Sequence, residues 1–323
     1  MAIRVRQAVL DDVIAINRLY LERISVWQRL TKEGLVENVP YEQLSLYERW
    51  LHGGAWMSIE TGSIYLNHLL LGAGIPYVAV LPENGHDRVV GYAEAYINNE
   101  PEPFGMHLHL AHIVLEQAST TLAIASANAL LDAVIQRGAQ LKCQRVTINQ
   151  IDTDPAWEAA RHRFETTPLP TVRRYSVSAR TGQGFYRASD LADTNAMQVS
   201  GWAMPIGRLT SSRHQWETLM PRIWDTLPEI RAQRIHRIKF AAGTIEAFIV
   251  CRQRMHDPRS ADISGWMPKL LPPQMVIALR DWAHREGYRT LWFDVLEDQA
   301  SALGPDAEAD VLTLQTSALT LTG

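Results

Sequence analysis

Cysteine is nearly absent from this chain: two thiols, Cys143 and Cys251, stand among 323 residues, and neither has a close neighbour. That spacing excludes a disulfide framework, a zinc knuckle and a C-x-x-C redox pair, and it suits a reducing compartment. Lysine is also scarce, since Lys32, Lys142, Lys239 and Lys269 are all there is, and arginine carries nearly all the basic charge. No apolar run approaches the roughly 18 residues that a membrane span needs. Residues 1–10 alternate polar and apolar side chains and lack the apolar core of a signal peptide. Net charge is −4, so no global electrostatic attraction to nucleic acid or to an anionic membrane is expected. A cytoplasmic protein without nucleic-acid or membrane partners is therefore expected.

What is present is enough apolar material for two cores. Hydrophobic residues make up 46% of the chain, and a length of about 150 residues per domain suggests two domains. Ile3–Val9 reads as a strand by alternation. Asp11 or Asp12 caps a helix with Val13, Ile14, Ile16, Leu19 and Tyr20 at helical spacing. A second helix is expected between Pro40 and Gly53-Gly54, and a third apolar segment over Ile64–Leu71. Tyr77–Leu81 and Val89–Ile97 form a predicted hairpin across Pro82–Gly85, followed by a strand at Met106–Leu115. A helix over Thr121–Gln136 is expected to stop at Gly138. Then come a strand at Arg145–Ile148, a helix at Pro155–Phe164, and a strand at Val172–Val177 closing the half.

A shorter version of this order recurs. Trp202–Leu209 is a strand, and Ser211 or Ser212 caps a helix carrying Trp216, Leu219, Met220 and Ile223. Ile235–Phe240 and Ile245–Arg252 make a hairpin, and Ala261–Met267 is a strand. A helix over Pro273–Glu286 and a strand at Thr290–Val295 follow, with Val311–Leu321 closing the chain. Such a repeat implies tandem domains, 1–180 and 201–323, joined by a linker over 181–200 where Gly, Ser, Asp and Asn concentrate. The fold class expected is α/β (α+β), each domain holding a mixed, mostly antiparallel sheet flanked by helices.

Several phrases carry a resemblance. "IRVRQAVLDDVIAINRLYLE" and "RVVGYAEAYI" resemble the opening strand–helix and the central strand of the GNAT acyltransferases. "LAHIVLEQASTTLAIASANALLDAVIQRGAQLKCQRVTI" resembles that superfamily's strand–loop–helix–strand segment, and "GWMPKLLPPQMVIALRDWAHREGYRTLWFDV" repeats it in the second half. The tandem is similar to the mycothiol-synthase-like branch. The resemblance implies an acetyl-CoA-dependent (or related acyl-CoA-dependent) N-acetyltransferase acting by direct transfer on a small-molecule amine. It also implies a monomer, as a pseudo-dimer, or a homodimer. The cofactor would lie along Ile113, Val114 and Leu115 and over Ser119, Thr120, Thr121, Ala123 and Ala125. The loops depart from the superfamily's pattern. Ala stands where Gly is usual, Leu122 where Arg or Gln is usual, and Pro272-Pro273 removes two backbone donors from the second loop. A non-catalytic tandem binding module is the alternative this erosion suggests.

Three catalytic candidates emerge. Glu94 sits in the middle of its strand, where it either faces a cleft as a base or lies on an exposed edge face. His107 and His109 share one strand face by period 2, which puts His112 on the other; His109 is taken as the companion of Glu94. The usual acid of the superfamily, a Tyr, is missing from "DPAWEAARHRFETT", where His162 is the substitute. No metal site is expected, because His107 and His109 have no carboxylate or Cys at ligand spacing.

Overall fold

In the computed structural model, the described residues are all except 1, 2, 32, 84, 150–161, 165–168, 183, 232, 233, 322 and 323. They form two large sheets that flanking helices turn into a mixed α/β tandem.

The first sheet contains β1 (Arg4–Gln7), β4 (Ile75–Glu83), β5 (His86–Asn99), β6 (Met106–Leu115) and β7 (Arg145–Asn149), with β16 (Thr316–Thr320) at its edge. A small separate ribbon, β2 (Gln28–Leu30) with β3 (Val36–Asn38), precedes β4. Pairing is antiparallel throughout except between β6 and β7. Helix α4 (Thr120–Gln140) covers one face, burying Leu122, Ala127, Leu130, Leu131 and Val134 against Ala93, Ala95, Leu108 and Leu110. Full burial of each Leu or Val stabilises by about 1.5–3 kcal/mol. The other face packs on α1 (Val13–Leu21) and α3 (Ile59–His68) through Ile16, Leu19, Tyr65 and Leu66; α2 (Leu46–Leu51) lies beyond them.

Helix α4 does not stop at Gly138. Gly138 is buried inside it, where an added Cβ would come within 3.1 Å of Val146 Cγ2. The helix ends beyond Gln140, where Lys142 takes the left-handed conformation at φ 56°. Glycine there serves close packing, and the turn needed no glycine.

The second sheet runs β15 (Glu308–Leu314), β8 (Val172–Ser178), β14 (Thr290–Leu296), β10 (Ala203–Ile206), β13 (Asp257–Met267), β12 (Ile245–Arg254), β11 (Ile235–Ala242) and β9 (Tyr186–Asp190). Helix α5 (Ser212–Leu219), capped by the Ser211 hydroxyl, lies against one face. The four-residue α6 (Pro228–Arg231) follows it, and α7 (Pro273–Arg285) covers the opposite face.

Three expectations change here. The strand expected to close the first half, β8, pairs with β14 and β15 in the second sheet. The segment expected as one closing strand breaks into two: β15 stays in the second sheet, and β16 crosses to pair with β7. The expected linker contains β9, the far edge of the second sheet. The two sheets are thus stitched together twice. A buried ion pair adds to the seam: Arg208 grips Glu100 through both guanidinium nitrogens at 2.5 and 2.9 Å and stacks 3.6 Å from the Phe104 ring centre. The helix expected over Pro155–Phe164 lies almost wholly outside the described residues. No described helix is long and apolar enough to cross a membrane.

Candidate active site

The β5–β6 ladder is regular from both ends and slips once. Glu94 pairs with His112 and Ala95 with Leu110, so Ala111 is an extra residue on β6. A bulge of this kind breaks the period of two. His112 therefore joins the face that carries Glu94, Tyr96 and His109, contrary to the alternation argument. The same point ends the parallel pairing: β6 and β7 run together from His107↔Arg145 to Leu110↔Ile148. Beyond Leu110, no described strand pairs with the outer edge of β6. The two strands open as a wedge, and His112 stands exposed at its mouth.

Glu94 is fully buried on a central strand, which removes the edge-face reading. Its Oε1 accepts from Trp56 Nε1 at 2.6 Å. Its Oε2 lies 3.0 Å from the Tyr96 hydroxyl and 3.2 Å from that of Tyr65, and the two hydroxyls are 2.7 Å apart. Two phenol hydrogens serve these three oxygen–oxygen contacts, so the triangle has room for one more hydrogen. Burial, and then the Glu94 charge, push Tyr65 and Tyr96 well above the ordinary phenol range, so both remain donors.

The second half supplies the remaining wall. Helix α5 brings His214 over Tyr96, ring centres 4.6 Å apart, and edge-on to His112 at 5.1 Å. His214 Nδ1 is 2.8 Å from the Thr210 hydroxyl. One ligating atom each from Glu94, His112 and His214 lie within 4.8 Å of one another. His109 is buried, its Nδ1 2.9 Å from the Thr147 hydroxyl and its Nε2 without a hydrogen-bond partner among the described residues. Desolvation pushes His109 and His214 well below the usual imidazole range, and both are neutral near pH 7.

The predicted positions thus separate. Glu94 and His109 share one face without bonding each other. His162 is exposed in a turn, and no described contact brings it to that face. His112 and His214 were missed: a bulge reversed the first, and the second arrives from 102 residues further on. The run of His at 107, 109 and 112 was the available signal for the first; no sequence signal marked His214.

The cofactor positions lie at the open end of the wedge. Ile113, Val114 and Leu115 bury their side chains, while Ser119, Thr120, Thr121 and Ala125 are exposed and Ala123 is buried. Ser119 caps α4, its hydroxyl accepting from Leu122 N–H at 3.4 Å. The Thr120 and Thr121 N–H groups precede any helical carbonyl partner, and the positive end of the helix dipole faces solvent there. Nearby, Glu116 is bonded by Arg88, which also holds Glu83. Among the described residues, Ser119, Thr120 and Thr121 leave this corner exposed.

The second sheet has the same parallel pair, β13 with β14, from Ser260↔Thr290 to Ile263↔Phe293. There the divergence is filled. β10 inserts between the strands, pairing Ala203 with Met267 and Ile206 with both Gly265 and Val295. It leaves the narrow end through Gly207, at φ 77°, where an added Cβ would lie 2.6 Å from Ser264 Cα.

This strand order, with a parallel pair opening toward a helix tip, decides the comparison with solved structures. The fold is that of the GCN5-related N-acetyltransferases. A member from Kribbella flavida aligns over 99% of this chain and 72% of its own, with TM-score 0.56 and 10% identity. One from Anabaena variabilis aligns over 98% and 72%, with TM-score 0.58 and 11% identity. A conserved Enterococcus faecalis protein described as a probable N-acyltransferase aligns over 98% and 72%, with TM-score 0.55 and 10% identity. The alignments span both halves, so the GNAT fold is present in tandem. No sequence family and no curated protein matches the chain.

Proposed function

We propose that the chain is an N-acyltransferase that moves an acyl group directly from acetyl-CoA, or a related acyl-CoA, to a small-molecule amine. The observation that supports this most is the open wedge of the first sheet, with the Glu94–His112 pair at its mouth and an exposed helix tip at its end. The free edge of β6 over residues 111–115 offers backbone groups to an amide-bearing pantetheine arm. The Thr120 and Thr121 N–H groups and the Ser119–Thr121 hydroxyls offer donors to a diphosphate.

On this reading the amine nitrogen bonds the acyl carbon as the thioester C–S bond breaks, and CoA departs as its thiolate and takes a proton from solvent at the open wedge. His112 takes the proton of the attacking amine. Its ring lies within 4.8 Å of Glu94, a gap that one water bridges. The proton passes on to the Glu94–Tyr65–Tyr96 triangle, which has room for it. His112 thus takes the role that strand alternation assigned to His109, while His109 and Thr147 support it from within the sheet. The second half shapes the acceptor cleft and lends His214, and its own wedge takes no thioester. The division into residues 1–180 and 201–323 with a connecting stretch over 181–200 is retained for function, although strands cross between the sheets. The two buried free thiols favour the cytoplasm.

The experiment is a thermal-shift titration with acetyl-CoA, followed by turnover against an amine panel. A ligand at a hundred times its Kd stabilises by about 2.7 kcal/mol. A folded sample that shows no shift at millimolar acetyl-CoA overturns the transferase reading and favours a binding module without thioester chemistry.

A further inference from the structure

We propose that Glu94, His112 and His214 form a site for one divalent transition cation, of the zinc class, at the seam between the two halves. The donor set is two imidazoles and one carboxylate, contributed by β5, β6 and α5, with their ligating atoms within 4.8 Å of one another. Four-coordinate zinc holds nitrogen at about 2.0–2.1 Å, which sets the centres of two bound imidazole rings roughly 5 Å apart. The His112 and His214 rings are 5.1 Å apart and nearly perpendicular. Exposed His112 is the ligand free to close the remaining distance.

The surroundings orient the ligands as metal sites require. A ligating His usually donates its second ring nitrogen to a fixed partner. His214 Nδ1 has the Thr210 hydroxyl at 2.8 Å, which leaves Nε2 for the ion. A carboxylate offers about four lone-pair positions. Trp56, Tyr65 and Tyr96 address three of them on Glu94 and hold it rigid, leaving one. Three protein ligands and an exposed approach past His112 leave a fourth position for water, the arrangement of an open zinc site. Two imidazoles favour zinc, cobalt or nickel over magnesium or calcium, which prefer oxygen.

Binding itself does not depend on the transferase reading. One consequence does rest on that reading: an ion at this site occupies the His112 lone pair that would accept the amine proton, so zinc inhibits acyl transfer.

The test is calorimetric titration of the chelator-treated full chain with zinc chloride, repeated with cobalt(II) to read four-coordinate geometry from its visible absorption. One zinc per chain is expected, with affinity at least tenfold weaker in His112→Ala and His214→Gln and unchanged in His256→Ala. His112 is exposed, so its substitution leaves the fold intact. Wild-type binding no tighter than that of the His112→Ala/His214→Gln double variant overturns the site, as does binding that His112→Ala leaves unchanged. Acetyl-CoA thermal shifts on the same samples keep the two ideas separate. A shift without zinc binding removes the metal site alone, and zinc binding without a shift removes the transferase reading alone.

Discussion

Two parallel strand pairs among the described residues start alike and finish differently. β6 and β7 part at Leu110 and leave an edge open beside Glu94 and His112. β13 and β14 part at Ile263 and admit β10 between them. The faces beside the two wedges differ in kind as well. Around Glu94 the aromatic side chains bring hydroxyl and indole donors to a carboxylate. Beside the filled wedge, Trp216, Trp266, Phe248 and Met204 pack as an apolar core. One frame therefore supports a polar, reachable site in one half and a structural core in the other. A single inserted strand and one buried carboxylate make most of the difference.

That contrast can be broken in several places. The largest effect belongs to the polar half. Glu94→Gln and His112→Ala should each lower kcat/KM for acyl transfer by about 10²–10⁴, the range for general-base loss, as steady-state kinetics will read. Normal turnover in both variants would remove the assigned chemistry. In the apolar half, Trp266→Ala should cost about 3–5 kcal/mol in urea unfolding, the usual range for a buried Trp, while leaving the affinity of the folded chain for acetyl-CoA unchanged. A large affinity loss would mean that the second half holds the thioester.

Acid should act on the seam through His107. Burial holds its folded pKa below the ordinary imidazole value, against the opposing pull of Glu100. Its neutral form is therefore favoured in the fold, and its contribution is fully present above about pH 6.5. Below that the unfolded chain binds the extra proton, so stability falls by up to about 1.4 kcal/mol per pH unit until the folded pKa is reached. His107→Gln should make that slope shallower in unfolding measured from pH 7 to 5, leaving the shares of buried His109 and His214. The smallest effect is expected at the open wedge's helix tip. Ser119→Ala should cost about 1 kcal/mol of stability through the lost cap and should weaken acetyl-CoA binding further. Stability loss with unchanged binding would reduce Ser119 to a cap.

Much of this architecture was legible from periodicity. Met106–Leu115 is a strand with the predicted bounds, and Ser211 caps α5 as its hydroxyl and position imply. The hairpins at 75–99 and 235–254 follow from turn residues between β-rich runs. Partnership was not legible. Val172–Val177 alternates equally well for either sheet, and its pairing with β14 depends on the surface that β14 offers. Glu94 drew attention in the sequence as a carboxylate in the middle of an otherwise apolar strand, and the structure buries it beside His112 and His214. His112 was assigned to the wrong face because a one-residue bulge leaves no trace in an alternating pattern.

By itself, then, the sequence determined where strands and helices form, since those follow from side-chain spacing, caps and turn residues within a few positions. It also put Glu94 in the middle of a strand, but the burial of that acid on a central strand came from the tertiary fold. The tertiary structure alone decided which strands cross between sheets, which wedge is filled, and that His214 meets Glu94 and His112. Those outcomes depend on surfaces far apart in the chain, and no local pattern encodes how two such surfaces fit.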